Sequence, residues 1–363
     1  MKLKRFTLFA ALMLVFSFTL VACEKSDDNN ANADVNEEAL TSEGVDTVCE
    51  VTGYSDYKGE HAEMFLKEGD NIAVISPSAL PTREQTDAVI EGLTAWGYTP
   101  VEGKYVCSAE RTLEECLEDL NWALNDPSIK AIFCVRGGYG ASQVMDRLPL
   151  DTIKSANKLI IGYSDISVYH SAWTSAGLPS IQASMSATFQ ELGKECADVE
   201  KQIIQGKIPI YQCKGSEFNK LGEAEGVLIG GNLSTYTSVL NTAYDSSITG
   251  KPYILFFEDV EEDMQHIHRY LTVLKNNGVL DNAAGIIFGE WTDMPVCNDF
   301  NGNTRGGVYQ SVADMISREL LSDLDIPVAF GFPAGHGDKN YPMLMGENVK
   351  LDVSEDVFTI EWI

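Results

Sequence analysis

The stretch KLIIGYSDIS, residues 158–167, sets an apolar run directly against a Ser-Asp pair. The run reads as a buried strand, and the pair as a strand-end turn that opens a helix. Ser164 at that corner has two readings. As an N-cap it would satisfy a backbone donor of the helix. As a nucleophile it would expose its hydroxyl beside the positive helix end, where the Asp165 N–H favours a developing oxyanion. This is the logic of a nucleophile elbow without its usual GxSxG string.

A serine nucleophile needs a base, and the chain has five histidines. His61 lies near the N-terminal tail. His170 falls within the helix after Ser164 and is expected to point sideways. His266 and His268 share one helix, two positions apart, so at most one faces inward. His336 sits in GFPAGHGDKNYP, a Gly- and Pro-rich loop after a buried strand. It is the strongest base candidate, with a plain surface-loop histidine as the alternative. A third group, a carboxylate, should orient the imidazole. Glu258 follows YILFF at a strand end, and Asp259 is its competitor.

Loops at the carboxyl ends of parallel strands are where sites form in open α/β sheets. Four loops qualify: SPSA, RGGYG (136–140), YSD (163–165) and EDVEED. Adjacent glycines in RGGYG allow close backbone approach, so their N–H groups could line an oxyanion hole or hold a carboxylate. A tight strand-to-helix turn is the alternative. Arg136 would contact a substrate carboxylate, or pair with a surface acid. Neither GxGxxG nor GK[ST] occurs, so a dinucleotide or ATP site is not supported. No CxxC or other metal-ligand spacing occurs, and no cofactor or metal is expected.

The elements that must position these residues alternate in the first half. NIAVISPS (71–78), IKAIFCV (129–135) and LIIG (159–162) read as strands. REQTDAVIEGLTAWG (83–97), TLEECLEDLNWALND (112–126) and DISVYHSAWTSAG (165–177) read as helices. That order predicts an α/β fold with a parallel sheet covered on both faces and right-handed crossovers. The pattern blurs between 190 and 220, and a mixed α/β half follows, closed by a hairpin around Ser354-Glu355. Five regions are therefore expected. They are a lipoprotein signal peptide (1–22), a disordered acidic tether and lead-in (23–65), an N-terminal nucleophile domain (66–195), a linker (196–220) and a C-terminal domain (221–363).

The signal reading rests on a basic start, MKLKR, an apolar core, and LVAC, which resembles a lipobox. Cys23 would be acylated and become the mature N-terminus, so contact with a membrane is expected through that lipid only. An uncleaved transmembrane anchor is the alternative. The Asn-rich acidic stretch that follows cannot bury enough apolar surface to fold. Removing the signal takes Lys2, Lys4 and Arg5 and no acid, and leaves 23 basic against 54 acidic residues, a balance of −31. A chain so negative repels nucleic acid, which is excluded as a partner. Besides Cys23, seven cysteines remain, so at least one thiol is free. Cys107 with Cys116, or Cys196 with Cys213, could form bridges, and spacing does not choose. Cys134, in an apolar run, reads as a small buried hydrophobe.

Five spaced strings then stop being independent. LKEGDNIAVISPSA, RGGYGASQVMDRLPLDTIKSANKLIIGYSDIS, GVLIGGNLS, ILFFEDVEE…LTVLKNNGVLDNAAGIIFGEW and GFPAGHGDKNYPMLMG together resemble the LD-carboxypeptidase family of serine peptidases. That family includes microcin-immunity enzymes, and the resemblance runs from about residue 66 to the C-terminus. It implies a Ser-Glu-His triad, matched here by Ser164, Glu258 and His336. It implies oxyanion donors at Gly137 or Gly138 and at Asp165. Arg136 and Asn232 are expected in substrate contact. It also implies a Rossmann-like N-terminal domain and a smaller C-terminal domain supplying Glu and His, with the site in the cleft between, and a homodimer. The sequence departs from the family at SIQASM (180–185), where HGP is common, at His268, where an acid is common, and at 292–307, which looks like an insertion.

The expected reaction is hydrolysis of an L,D-peptide bond that releases terminal D-Ala from a murein tetrapeptide, in the cell envelope, on its periplasmic or outer face. A microcin-immunity type cleavage of a peptidyl- or aminoacyl-nucleotide amide is one alternative, with Trp291 and Tyr341 as aromatic contacts or core residues. A non-catalytic ligand-binding lipoprotein is the other.

Overall fold

The computed structural model describes residues 48–190, 194–294, 309 and 311–363. The signal peptide, Cys23, most of the tether, Cys297 and most of the 292–307 stretch lie outside the described residues. The described strands form two sheets, one of six strands and one of eight. In chain order they are β1 (Cys49–Asp56), β2 (Asn71–Ile75), β3 (Thr99–Glu102), β4 (Ile129–Cys134), β5 (Leu159–Gly162), β6 (Ser180–Gln182) and β7 (Lys207–Lys214). The second half contributes β8 (Gly222–Asn232), β9 (Tyr253–Val260), β10 (Gly285–Thr292), β11 (Val328–Phe330), β12 (Met343–Met345), β13 (Asn348–Val353) and β14 (Val357–Trp362).

The six-stranded sheet runs β12-β6-β5-β4-β2-β3. All neighbours are parallel except β12, which pairs antiparallel with β6. The strand order reverses direction between β2 and β4, so the loops after those strands open a crevice. β2, β4 and β5 are almost wholly buried, as their unbroken apolar runs require under helices on both faces. Helix α1 (Arg83–Ala95) starts with a Thr82–Gln85 capping box and α2 (Leu113–Asn125) with a Thr112–Glu115 one. Each falls within two or three residues of its sequence reading.

The eight-stranded sheet runs β1-β7-β14-β13-β8-β9-β10-β11. β8 to β11 are parallel, and the rest is antiparallel. The closing hairpin is β13 and β14, turned through Ser354. The lobe expected to be the smaller thus carries the larger sheet, for two reasons. The lead-in is not disordered throughout: residues 49–56 form β1, which alternates buried and open positions against β7. The stretch expected as a linker holds a helix, Lys194–Ile203, and β7 itself. Pro209 lies within β7. β14 pairs with β7 only at Tyr211–Lys214, so Pro209 is not asked for a bond on that side.

Cys49 and Cys213 face each other across β1 and β7 and form a disulfide. This corrects the Cys196–Cys213 alternative. Cys107, Cys116, Cys134 and Cys196 are free thiols, so the Cys107–Cys116 bridge is also absent. Sheet register brought the bonded pair together from 164 residues apart. Cys134 is fully buried, and burial alone pushes its thiol far up.

Candidate active site

Ser164 follows β5 by two residues and opens a one-turn 3-10 helix, Ser164–Ile166, that leads into a helix at Ser167–Ser175. Its backbone is left-handed, with φ of 64°. A serine in that region is strained, and such strain marks a turn held for function. Its hydroxyl caps neither helix: no side-chain cap bond occurs at the start of either one. Instead Ser164 Oγ lies 3.0 Å from His336 Nε2. The N-cap alternative is therefore corrected.

His336 reaches Ser164 from the loop after β11, and Glu258 meets it from β9. His336 Nδ1 lies 2.7 Å from Glu258 Oε2. Glu258 is fully buried, and the imidazole is mostly so. Asp259 loses the competition because successive strand residues face opposite sides. Its carboxylate accepts from Asn232 Nδ2 at 2.8 Å, Ser234 N at 2.8 Å and Val260 N at 2.9 Å. Burial depresses the His336 imidazolium, but Glu258, with Asp259 and Asp293 behind it, outweighs this and leaves the pKa raised above 6.5. Tyr163 packs its ring 4.8 Å from the imidazole.

Gly137 is pressed against the serine: a Cβ there would lie 2.9 Å from Ser164 Cβ and 3.4 Å from the Asp165 nitrogen. Gly138, at φ 102°, turns the loop against Ala79. Asp165 is buried, and its Oδ2 accepts from Ser78 Oγ and, at 2.9 Å, from Ala141 N. These bonds tie the loops after β2, β4 and β5 into one frame around the serine. Burial raises the Asp165 pKa, and the two bonds oppose that.

Arg136 is exposed and donates from Nη1 to Leu80 O at 3.0 Å, with no surface acid paired to it among the described residues. Asn232 is buried, and its carboxamide is used within the protein. Besides its bond to Asp259, Oδ1 accepts from Ser234 Oγ at 2.9 Å and Thr235 N at 3.1 Å. It caps the short helix Leu233–Tyr236. Three of the four bonding positions of its carboxamide are filled within the protein, where it supports Asp259.

The other histidines are elsewhere. His170 is buried and sits between Ser180 Oγ and Gly162 O, at 2.8 and 2.9 Å, and burial lowers its pKa to about 4. His266 is exposed beside Glu262, and neither it nor His268 is buried. Tyr341 is a core residue packed on Tyr211, not a cleft aromatic. Three supporting residues escaped sequence reasoning: Ser78, Tyr163 and Asn340. Asn340 accepts from Gly335 N at 3.0 Å and donates to Ser184 Oγ at 2.9 Å, which braces the histidine loop. Its place in the same GHGDKNYP string was the available signal. Among the described residues no cluster suited to a metal occurs.

Fold and site define a class: a serine hydrolase with two α/β lobes and its nucleophile at a strand–helix corner. Residues 72–183 match the LD-carboxypeptidase N-terminal domain, and residues 225–351 match the LD-carboxypeptidase C-terminal domain. A probable murein peptide carboxypeptidase of Bacillus subtilis is 30% identical over 311 residues, covering 82% of this chain and 93% of its own length. A murein tetrapeptide carboxypeptidase of Pseudomonas aeruginosa is 28% identical, covering 77% of this chain and 92% of its own. The crystal structure of muramoyltetrapeptide carboxypeptidase from Oxalobacter formigenes shares the fold, with a TM-score of 0.70 at 24% identity over 80% of this chain and 98% of that one. The microcin C7 self-immunity protein MccF in an inactive mutant apo state has a TM-score of 0.67 at 25% identity, over 82% of this chain and 97% of its own. The chain belongs to the LD-carboxypeptidase family of serine peptidases.

Proposed function

We propose that this protein is a serine LD-carboxypeptidase that releases terminal D-alanine from murein tetrapeptides, with Ser164 as nucleophile, His336 as base and Glu258 as the group that orients it. The carrying observation is the chain of two bonds, 3.0 Å from Ser164 Oγ to His336 Nε2 and 2.7 Å from His336 Nδ1 to Glu258 Oε2. In this reading Ser164 Oγ attacks the L,D-peptide carbonyl and Nε2 takes its proton. The N–H groups of Gly137 or Gly138 and of Asp165 receive the oxyanion, and one such donor is worth about 10²–10³ in rate. His336 returns the proton to the departing D-Ala amine. Water, deprotonated by the same imidazole, then frees Ser164. Glu258 holds Nδ1–H so that Nε2 keeps its lone pair. Arg136, exposed beside the Gly-Gly loop, is proposed to meet a substrate carboxylate. The names borne by the Bacillus and Pseudomonas relatives support the murein peptide as substrate.

The likeness to MccF supports a second assay. Peptidyl-nucleotide amides are to be tested beside the tetrapeptide. The deciding experiment is D-Ala release from a murein tetrapeptide by the purified enzyme and by Ser164→Ala. Loss of release in the variant is expected; equal release by both would refute the assignment. We further propose that Cys23 carries a lipid that ties the enzyme to the cell envelope, on the LVAC string alone. Incorporation of a labelled fatty acid that survives Cys23→Ala would refute it. A homodimer is likewise proposed, and sedimentation as a monomer would exclude it.

A further inference from the structure

His336 lies between two glycines, and each glycine faces a carboxyl group. A Cβ at Gly335 would lie 2.8 Å from Glu258 Oε2, and a Cβ at Gly337 would lie 1.9 Å from Glu290 Oε2 and 2.7 Å from its Cδ. The two acids sit at the same edge of neighbouring parallel strands, β9 and β10. Glu258 is accounted for by its bond to the imidazole. Glu290 has no side-chain partner that accounts for it: its Oε2 is buried without a hydrogen-bond partner among the described residues, as Glu258 Oε1 also is, and the Gly337 N–H is what its carboxyl group meets. An orphaned buried oxygen calls for a reason. Its backbone is also committed to this loop, since Glu290 N donates to Ala334 O at 3.1 Å. Burial, then the nearby charges of Asp338 and Glu258, push the Glu290 carboxyl up to about 7, against the Gly337 N–H and Lys339. A carboxyl group so placed can sit uncharged against the loop near neutral pH.

We propose that Glu290 is a positioning residue for His336: its carboxyl group fills the space beside Gly337 and, opposite Glu258, clamps the backbone that presents Nε2 to Ser164. The proposal rests on the function assigned above. It explains why the loop reads Gly-His-Gly, because any side chain at 337 would occupy the volume that Glu290 fills. The clamp depends on shape more than on charge. It acts on the rate and not on substrate affinity, since a base displaced by even about 1 Å loses its alignment.

The test measures kcat and KM for D-Ala release, the labelling rate of Ser164 by a fluorophosphonate, and thermal unfolding, all on the full-length enzyme. Glu290→Ala is expected to lower kcat roughly tenfold to a hundredfold with KM within about twofold. Glu290→Gln keeps the shape and should recover all but about threefold of that loss. Gly337→Ala lowers kcat by itself, because its methyl group meets the carboxyl. Adding Glu290→Ala opens that space, so the double variant should exceed the additive value by about tenfold or more. Additive effects, a Gln variant as damaged as the Ala variant, or a rise in KM at constant kcat would overturn the clamp. If Gly337→Ala does not fold, the Ala and Gln variants of Glu290 decide alone. A wild type that neither releases D-Ala nor labels refutes the assigned function and takes this inference with it. An active wild type with additive variants refutes the inference only.

Discussion

Replacing Glu258 by Gln keeps the shape of the side chain and removes its charge. Two losses follow from the geometry. The 2.7 Å contact to His336 Nδ1 is a charge-assisted bond inside the protein, and Glu258 is fully buried. Such bonds contribute roughly 1.5–3 kcal/mol, which corresponds to about ten- to a hundredfold in rate if the bond strengthens as the imidazolium forms. The amide can also donate to Nδ1, which moves the proton to Nε2 and leaves no lone pair facing Ser164. A wrong tautomer of this kind adds roughly a further hundredfold, for a total of about 10³–10⁴ in kcat. The pH profile should move as well. Burial lowers the His336 pKa and Glu258 raises it, with the raising influence ahead in the native protein. Without that carboxylate, burial is opposed only by the Asp259 and Asp293 charges, and the acid limb of kcat/KM should shift to lower pH. The assay is D-Ala release coupled to a D-amino acid oxidase between pH 5 and 9, with KM recorded at each point. A fall in kcat of less than about tenfold, or an acid limb that stays in place, would refute the role given to Glu258.

Three other outcomes are expected. Ser164→Gly and Ser164→Ala should both be inactive, but the Gly variant should be more stable by roughly 1 kcal/mol, because only Gly takes the φ of 64° without strain; equal denaturation midpoints would argue against strain at this corner. Reduction of Cys49–Cys213, or Cys49→Ser, should destabilise the fold by roughly 2–5 kcal/mol, since the bridge closes 164 residues; an unchanged melting temperature under reductant would contradict this. His170 is buried neutral with a pKa lowered to about 4. Between pH 6.5 and 4 the unfolded chain takes up its proton while the folded chain does not, so stability falls as pH is lowered. The native protein should lose up to roughly 3 kcal/mol relative to His170→Asn across that window; parallel pH–stability curves would rule it out.

How far the sequence reaches can be judged from particular residues. The strand at 159–162 and the turn after it were readable because LIIG is a short, wholly apolar run stopped by turn residues, and parallel strands are buried on both faces. Helices α1 and α2 were readable from the helical spacing of their apolar residues and from the Gly97 and Pro127 that stop them, whereas their Thr caps were seen only in the structure. β1 and β7 were not, since an exposed edge strand and a Pro-containing neighbour carry weak local signals, and each is defined by the other. The same holds for the disulfide they share. The partners of Asn232 were not legible either, because they come from another strand end and from the turn after it.

The residue types offered candidates in advance: one serine at a strand–helix corner, one histidine between glycines, and Glu258 or Asp259 at the end of an apolar run; the family resemblance is what joined Ser164, Glu258 and His336 as a triad. Local propensity and spacing are enough to find such candidates, because each feature lies within a few residues of its cause, but not to choose among them. Only the tertiary structure decided that these groups meet, since Ser164 and His336 are 172 residues apart and Glu258 reaches the imidazole from a third segment. Their convergence depends on where the carboxyl edges of two sheets come to lie, and sheet order and register arise from contacts that no short stretch of sequence contains.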